Sequence, residues 1–445
     1  MTEVLAHGIS GATDLPIPLS YALIGAAWAL TFSFAVLAFA WREPRLNPDS
    51  PGVALPGPAR IVIDSRLTRA LLGAVGLIGA IGVIVVGFAG SQDPADNPVP
   101  GLVYIFVWVG VPVASLVVGP VWKVVSPPRT VHRLLRRITG RTPEEGLFRY
   151  PGSWGNRPAA VGLFSFVWLE LAFPEPGSVL AVTVWFTGYL LVNTAGLVAF
   201  GTAWAERGDP LEVYSSLLAR LSPLARGRDR TIVLRWPLNN LAGTPALLGS
   251  VAVAATLLGS TAFDSFSMFT SWRNLLIEVG GDSTLITTLL RTAGLLGFIA
   301  VVGGIFILAT RATGGLTREQ RASLPIRLAH SLTPIVAGYI VAHYLTFLVE
   351  KGQATLILCA DPFQRGWNIA GLADLDVQYI LSNHPSVLAT IKVIAVLAGH
   401  ILGVAAAHDR CLRLLPPRHR LTGQLALMVT MVGFTFTGLY LLFEA

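Results

Sequence analysis

The chain has 445 residues, of which 53% are hydrophobic and only 13% are charged. Since a soluble domain carries about 25% charged residues, this composition excludes an ordinary water-soluble protein and indicates a surface that faces lipid. The formal net charge of +7 does not indicate nucleic-acid binding, because the basic residues stand between apolar stretches and form no single basic face.

Apolar stretches along the chain predict an all-α fold, a polytopic bundle of about ten transmembrane helices. A spanning helix needs about 20 mostly apolar residues, and only a helix satisfies its own backbone hydrogen bonds in lipid. The fourth stretch is short and could be re-entrant. The N-terminus lacks the features of a cleaved signal peptide, so the first stretch is predicted to be retained. The stretches are 17–41, 69–90, 101–125, 158–173, 178–203, 241–262, 284–310, 326–349, 385–407 and 421–443.

The connecting segments alternate in charge. Most of the 32 Lys and Arg, including Arg141, Arg228 and Arg230, follow the odd-numbered spans. The positive-inside rule therefore predicts that these segments face the cytoplasm and that both termini are non-cytoplasmic. Cys359 and Cys411 then lie on opposite sides and are predicted not to pair. The basic segments are 42–69, 123–157, 207–235, 311–327 and 410–420.

Two of the inner segments carry helix signals. In SPPRTVHRLLRRITG, Ser126 can cap a helix that Gly140 ends, and in DPLEVYSSLLARLSPLA, Asp209 can cap another. Each has apolar residues on one face. We therefore predict two amphipathic helices on the inner membrane surface, in contact with anionic lipids, as a scaffold or as a docking surface for a protein partner.

The chain is predicted to form one integral membrane domain over residues 1–445. Two five-helix halves, 17–203 and 241–443, would be joined by a cytoplasmic segment, 204–240, and would have opposite orientations, as in inverted-repeat transporters. The longest outer segment, 350–384, could be a lid, a docking surface or an inert loop.

Closely spaced glycines predict tight helix packing, because small residues let helix backbones approach each other. They are Gly73, Gly76, Gly79 and Gly82 in the second span, and Gly399 and Gly403 in the ninth.

Ionisable residues inside the predicted spans are candidates for a functional site, because a charge in lipid is costly. Arg291 and Lys392 lie about two turns inside the outer ends of their spans and would hold an anionic group. Tyr339, His343 and Glu350 share one face of the eighth span, at spacings of four and seven residues.

Two acidic residues lie near the same level. Glu170 is near the outer end of the fourth span, and Asp264 is just beyond the sixth. Together these residues predict a charged vestibule that opens outward. The residues predicted to bind substrate or to couple its movement to protons are Arg291, Lys392, His343, Glu350, Tyr339 and Glu170.

No catalytic motif and no cofactor are predicted, but two alternatives stay open. Haem would need axial ligands at facing depths, for which His400, His408 and His330 are the candidates. Copper or another metal could use His7, His343, His384 and Cys359, although their spacing matches no ligand motif. The sequence contains neither GxSxG nor HExxH.

Several stretches resemble a family of conserved multipass membrane proteins found in actinobacteria. This resemblance implies one integrated membrane domain in a plasma membrane and implies no activity. The stretches are DLPIP, FSFVWLEL, GDPLEVYSSLLARLSPL, LLGSTAFDSFS and GHILGVAAAHDR.

The leading functional prediction is a plasma-membrane transporter or permease for a small, possibly anionic molecule. The alternative is a non-transporting membrane subunit or assembly factor of a respiratory or metal- or haem-handling complex. Such a protein would dock its partners through the inner helices or through residues 350–384.

Overall fold

The computed structural model describes residues 14–140, 142–227, 229, 231–420 and 422–444. Over these residues the protein is helical apart from its connections and one small sheet, which confirms the predicted all-α class. Four residues used in the predictions above lie outside the described residues. They are His7, Arg141, Arg228 and Arg230.

The helices are numbered in chain order. Within α4, residues Leu102–Gly110 are π-helical, and within α15 the turn Phe347–Lys351 is π-helical. The helices are α1 (Leu19–Ala40), α2 (Gly57–Asp64), α3 (Arg66–Ala89), α4 (Val99–Val118), α5 (Trp122–Val125), α6 (Pro127–Thr139), α7 (Arg157–Leu171), α8 (Val179–Phe200), α9 (Thr202–Arg207), α10 (Pro210–Leu218), α11 (Pro237–Ala242), α12 (Ser250–Ser267), α13 (Thr270–Gly280), α14 (Thr284–Arg311), α15 (Arg318–Leu358), α16 (Pro385–Leu414) and α17 (Thr422–Glu444).

Long apolar helices dominate the fold and make this an integral membrane protein. Among the described residues, eight helices are long and apolar enough to cross a membrane, and α12 with α13, bent by 82°, forms a ninth candidate. The predicted fourth span forms α7, which has 15 residues. That length is about 22 Å, short of the roughly 30 Å hydrocarbon core. The count of ten spans and the outward placement of both termini therefore stay predictions.

The glycines predicted to mediate packing do so in part. In α16, Gly399 faces α15 so closely that an added Cβ would lie 2.6 Å from the carbonyl oxygen of Pro334, and Gly403 faces the Ser331 carbonyl in the same way. These two helices form the most extensive helix pair of the bundle. The division of the chain into two inverted halves stays a prediction.

After α8 the chain folds back into the bundle. Gly201 makes the turn with φ of +62°, a left-handed conformation that favours glycine. Helix α9 then runs antiparallel to α8: the indole of Trp204 donates to Asn193 Oδ1 at 3.0 Å. Further along, Asp209 accepts a hydrogen bond from the Tyr189 hydroxyl at 2.8 Å.

Helix α10 leads back toward the end of the bundle from which α9 came. The hydroxyl oxygens of Ser215 and Ser115 lie 2.7 Å apart. The Ser222 hydroxyl donates to the carbonyl of Val117, near the end of α4, at 2.9 Å. Residues 201–222 thus enter and leave on one side, and we call them the re-entrant hairpin.

The prediction that DPLEVYSSLLARLSPLA lies on the membrane surface is wrong for α10. Asp209 and Glu212 are fully buried, and α10 packs against α4, α5, α7 and α15. The physical reason is that Glu212 finds a cation, Arg129, inside the bundle. The tip of the hairpin also packs directly on α7, where an added Cβ at Gly162 would lie 2.7 Å from Pro210.

The other predicted amphipathic helix is confirmed as a helix, α6, Pro127–Thr139, while its placement on the inner surface stays a prediction. The Ser126 hydroxyl accepts from the backbone N–H of Arg129 at 3.4 Å, and Gly140 ends the helix with φ of +67°. Its apolar side chains face outward, with Ile138 83% exposed. This exposure fits a helix whose apolar face contacts lipid.

A small antiparallel sheet joins two connections at the same end as α2. Its strands are β1 (Val53–Ala54), β2 (Leu224–Arg226) and β3 (Ile232–Leu234), in the order β1-β3-β2. Asp64 of α2 forms an ion pair with Arg226 of β2 at 2.7 Å. The sheet therefore ties the hairpin's exit to the connection after α1.

Candidate functional site

The most distinctive polar contact of the bundle interior joins α12 to α15. Nε2 of His343 and Oδ2 of Asp264 form a hydrogen bond of 2.7 Å. Both residues are buried, at 3% and 4% exposure. Burying an ionisable pair in an apolar interior is costly unless the two groups satisfy each other, so this pair is a candidate for function.

A second buried carboxyl stands close to this pair. Glu170, on α7, is 6% exposed and lies within electrostatic range of Asp264. Tyr344, next to His343, interacts with both carboxyls, and Tyr214 of the re-entrant hairpin interacts with Glu170. Glu170, Asp264 and His343 thus form one acidic cluster, surrounded by aromatic side chains.

The aromatic surround is tightly packed. Trp108 of α4 stacks on Phe166 of α7 with ring centroids 4.2 Å apart, and its indole is tilted against Tyr214 at 5.0 Å. Tyr104, one turn earlier, contacts Phe166 and lies within electrostatic range of Glu170. These rings separate the cluster from bulk water, which strengthens every electrostatic interaction inside it.

Both π-helical segments lie next to the acidic cluster. The segment in α4 carries Tyr104 and Trp108, and the segment in α15 begins four residues after His343. The two segments also pack against each other. Since π-helical turns are rare and are frequent at functional sites, their position supports a functional role for the cluster.

A small cavity lies beside the cluster, between α12, α14, α15 and α17. Its volume is about 70 Å³, and its lining includes Thr261 and Ser265, which flank Asp264 on α12. Tyr339, predicted as a site residue, lines both this cavity and a smaller one that reaches Tyr344.

The two predicted cations lie elsewhere. Arg291, on α14, is partly exposed. Lys392, on α16, is fully buried and lies within electrostatic range of Asp14. Helices α14 and α16 both pack against α17. The binding of an anionic group between these two cations stays a prediction.

Glu350 binds the segment that follows α15, which is predicted to be an outer one. Its Oε1 accepts hydrogen bonds from the backbone N–H groups of Leu381 and Ser382, at 2.9 and 2.8 Å. Its Oε2 accepts from the Ser382 hydroxyl at 2.5 Å. The buried carboxyl of Glu350 thus holds residues 379–384 against the bundle, while its predicted role in proton coupling remains a prediction.

Replacing Glu350 with leucine should loosen this segment. Leucine has no acceptor oxygen, so all three contacts are lost and the buried donors are left unpaired, at a cost of about 1–3 kcal/mol. Hydrogen exchange at Leu381 and Ser382 should accelerate about tenfold or more. Exchange in α3 serves as the internal control, and unchanged exchange at both amides would contradict the anchoring role.

The three candidate haem ligands are engaged in separate contacts. Nδ1 of His400 lies 2.8 Å from the Val396 carbonyl. His408 has Nδ1 3.0 Å from Gln424 Oε1 and Nε2 2.9 Å from the Trp41 carbonyl, so both ring nitrogens are hydrogen-bonded. His330 is buried and bonds to backbone groups of α15 and α16. Within the described ranges, no group of three His, Cys, Asp or Glu has a metal-binding arrangement.

Sequence reasoning identified Glu170, His343 and the position of Asp264, but not the contact between Asp264 and His343. It also missed Tyr214, because that residue was assigned to the membrane surface. No local signal could have found it, because an amphipathic segment that carries Asp209 and Glu212 has the same pattern on the membrane surface as in the interior.

The comparisons with known proteins add no relative. The sequence matches no protein-family model, no curated protein and no solved structure.

Proposed function

We propose that this integral membrane protein is a proton-coupled transporter whose proton-binding site is the acidic cluster of Glu170, Asp264 and His343. The observation that carries the proposal is the burial of two carboxyls and an imidazole in electrostatic contact inside an apolar bundle. Intramembrane ionisable groups of this kind commonly form ion pathways and proton relays. The plasma membrane is the expected location.

The chemistry of the cluster supports a proton as the coupled ion. Two carboxyls close together cannot both carry a charge without strong repulsion, so one of them readily holds a proton. His343 adds an imidazole, the side chain that proteins most often use to carry a proton, to the two carboxyls. A proton entering the cluster would thus be shared among three sites, and its loss would change the charge beside the cavity that Tyr339 lines.

The cavity supports a small substrate. At about 70 Å³ it lies next to Asp264, so protonation of the cluster and occupancy of the cavity would affect one another. The predicted anionic substrate remains a proposal that rests on Arg291 and Lys392. Uptake lost in the double variant Arg291→Gln/Lys392→Gln would support it, and normal uptake would contradict it.

The proton itself is the probe for the main test. Purified protein is reconstituted into liposomes on a solid-supported membrane, and a rapid pH step is applied. The wild type should give a transient charge displacement, because protons enter the buried cluster. Asp264→Asn keeps an oxygen for the contact with His343, but its amide cannot bind or release a proton. This variant and Glu170→Gln, which has the same defect, should therefore lose most of the signal.

The matched control is Glu278→Gln, which removes an exposed carboxyl on α13 and should leave the signal unchanged. Size-exclusion profiles establish that each variant is folded. A wild-type signal no larger than that of protein-free liposomes would overturn the proposal. So would signals of wild-type size in both cluster variants.

A further inference from the structure

The re-entrant hairpin carries a second set of carboxyls, separate from the acidic cluster. Glu206, Asp209 and Glu212 follow one another at intervals of three residues. Their exposure falls along the chain: the Glu206 side chain is 52% exposed, whereas Asp209 and Glu212 are fully buried. Successive carboxyl groups of the hairpin therefore run from the protein surface into the interior of the bundle.

One cation, Arg129, interacts with all three carboxyls. Arg129, at the start of α6, binds Glu212 through both Nε and Nη2, the latter at 2.6 Å from Oε1. The same guanidinium lies within electrostatic range of Glu206 and Asp209. Glu212 is thus committed to Arg129, and Lys123 lies 3.6 Å from Glu206. Asp209 has no direct ion pair with any residue that the structure describes.

The two oxygens of Asp209 have different surroundings. Oδ1 accepts three hydrogen bonds: from the Tyr189 hydroxyl at 2.8 Å, and from the backbone N–H groups of Leu211 and Glu212 at 3.0 and 3.2 Å. Oδ2 is buried and has no hydrogen-bond partner among the described residues. A buried carboxylate oxygen without a donor is costly, and binding a proton at Oδ2 removes that cost without disturbing Oδ1.

The position of Asp209 places it between the hairpin's surface end and the acidic cluster. Tyr189 lies eleven residues before the end of α8, about 16 Å along the helix. Five residues after Asp209, Tyr214 lies within electrostatic range of Glu170. Among the described residues, the charged and titratable groups that interact with Asp209 are Glu212, Arg129 and Tyr189. Glu206 interacts with the same guanidinium.

We infer that Asp209 is a proton-binding site in its own right, through which protons pass between the solution at the hairpin's open end and the acidic cluster. In this scheme Glu206 takes up a proton at the surface, and Asp209 binds it at Oδ2 and becomes a neutral carboxylic acid. The inference rests on the proposed function and adds a route of access on the predicted cytoplasmic side.

Asp209→Asn is the variant that tests this inference. Asparagine is as good a helix N-cap as aspartate, so its amide oxygen keeps the three hydrogen bonds that Oδ1 accepts. It cannot take up a proton. Currents evoked by a pH step are recorded from right-side-out and from inside-out membrane vesicles, so that protons are offered to each side separately.

When protons are offered from the predicted cytoplasmic side, we expect the current of Asp209→Asn to be at least tenfold smaller than that of the wild type. When protons are offered from the other side, the two currents should be equal. Glu278→Gln, which removes an exposed carboxyl on α13, is the matched control and should keep both currents. Equal signals from both sides in Asp209→Asn would overturn the inference while leaving the proposed function intact. The proposed function itself fails if wild-type vesicles respond from neither side.

Discussion

Replacing Arg129 with leucine is expected to lower the free energy of unfolding by about 3–5 kcal/mol. The Glu212 carboxylate is fully buried, and both of its oxygens accept hydrogen bonds from the Arg129 guanidinium. Leucine leaves this carboxylate buried without its cation, and the cost of burying an unpaired charge is large. The loss should also free the start of α10 from α6, since this ion pair links the two helices.

The double variant Arg129→Leu/Glu212→Leu should recover most of that stability, because replacing both partners of a buried pair with apolar groups is often neutral. Lys123→Met is the control. It breaks the exposed pair between Lys123 and Glu206, 3.6 Å apart, and should change stability by less than about 1 kcal/mol.

The unfolding of these variants can be followed with a thiol-reactive fluorophore in detergent. Cys411 is buried, at 3% exposure, and reacts only when the bundle opens. Cys359 is partly exposed and is replaced with serine in every sample. Equal melting temperatures for the wild type and Arg129→Leu would show that the ion pair contributes nothing.

Replacing Gly76 with alanine is expected to destabilise the bundle by about 1–3 kcal/mol or more. An added Cβ at Gly76 would overlap the carbonyl oxygen of Val125 in α5, and a backbone atom cannot move aside as a flexible side chain can. Helices α3 and α5 would have to separate. The same shift would move Trp122, whose indole donates to Tyr189 at 3.1 Å.

Gly82→Ala is the matched control in the same helix. No atom lies within 4 Å of a Cβ built at Gly82, so alanine should be neutral or add up to about 1 kcal/mol through its helix propensity. The fluorophore assay described for Arg129 measures both variants. A Gly76→Ala protein as stable as Gly82→Ala would show that the approach of α3 to α5 is looser than its geometry implies.

Local signals predicted much of the fold. The ends of α6 followed from Ser126 and Gly140, and the cap of α10 from Asp209, because capping depends on residues adjacent in the chain. The apolar stretches predicted the long helices, because the apolar character of a span is also a property of consecutive residues. The glycine spacing predicted close packing, but not that Gly73 and Gly76 face neighbours while Gly79 and Gly82 have none within 4 Å.

The re-entrant hairpin could not be predicted in this way. An amphipathic stretch has the same periodicity whether its polar face meets water or a buried cation. In α10 the decisive partner of Glu212 is Arg129, 83 residues away. Nothing in the local pattern of either segment identifies the other, so the segment was assigned to the membrane surface by default.

The sequence predicted which residues belong to the candidate site better than it predicted which of them are in contact. Glu170 and His343 stand out because each is an ionisable residue within an apolar stretch. Their common partner, Asp264, could be placed only by knowing how α7, α12 and α15 pack. Glu350 was predicted to share a helix face with His343, but the turn that carries it is π-helical, and its carboxyl binds the backbone of Leu381 and Ser382.

The separation of partners along the chain also sets the order in which buried charges are neutralised during synthesis. Arg129 precedes Glu212, so the hairpin's acidic residue emerges into a membrane that already holds its cation. Asp264 precedes His343 by 79 residues. At 5–20 residues per second, the ribosome needs roughly 4–16 s to supply that histidine. During this interval Glu170 and Asp264 are both present in the nascent chain without it.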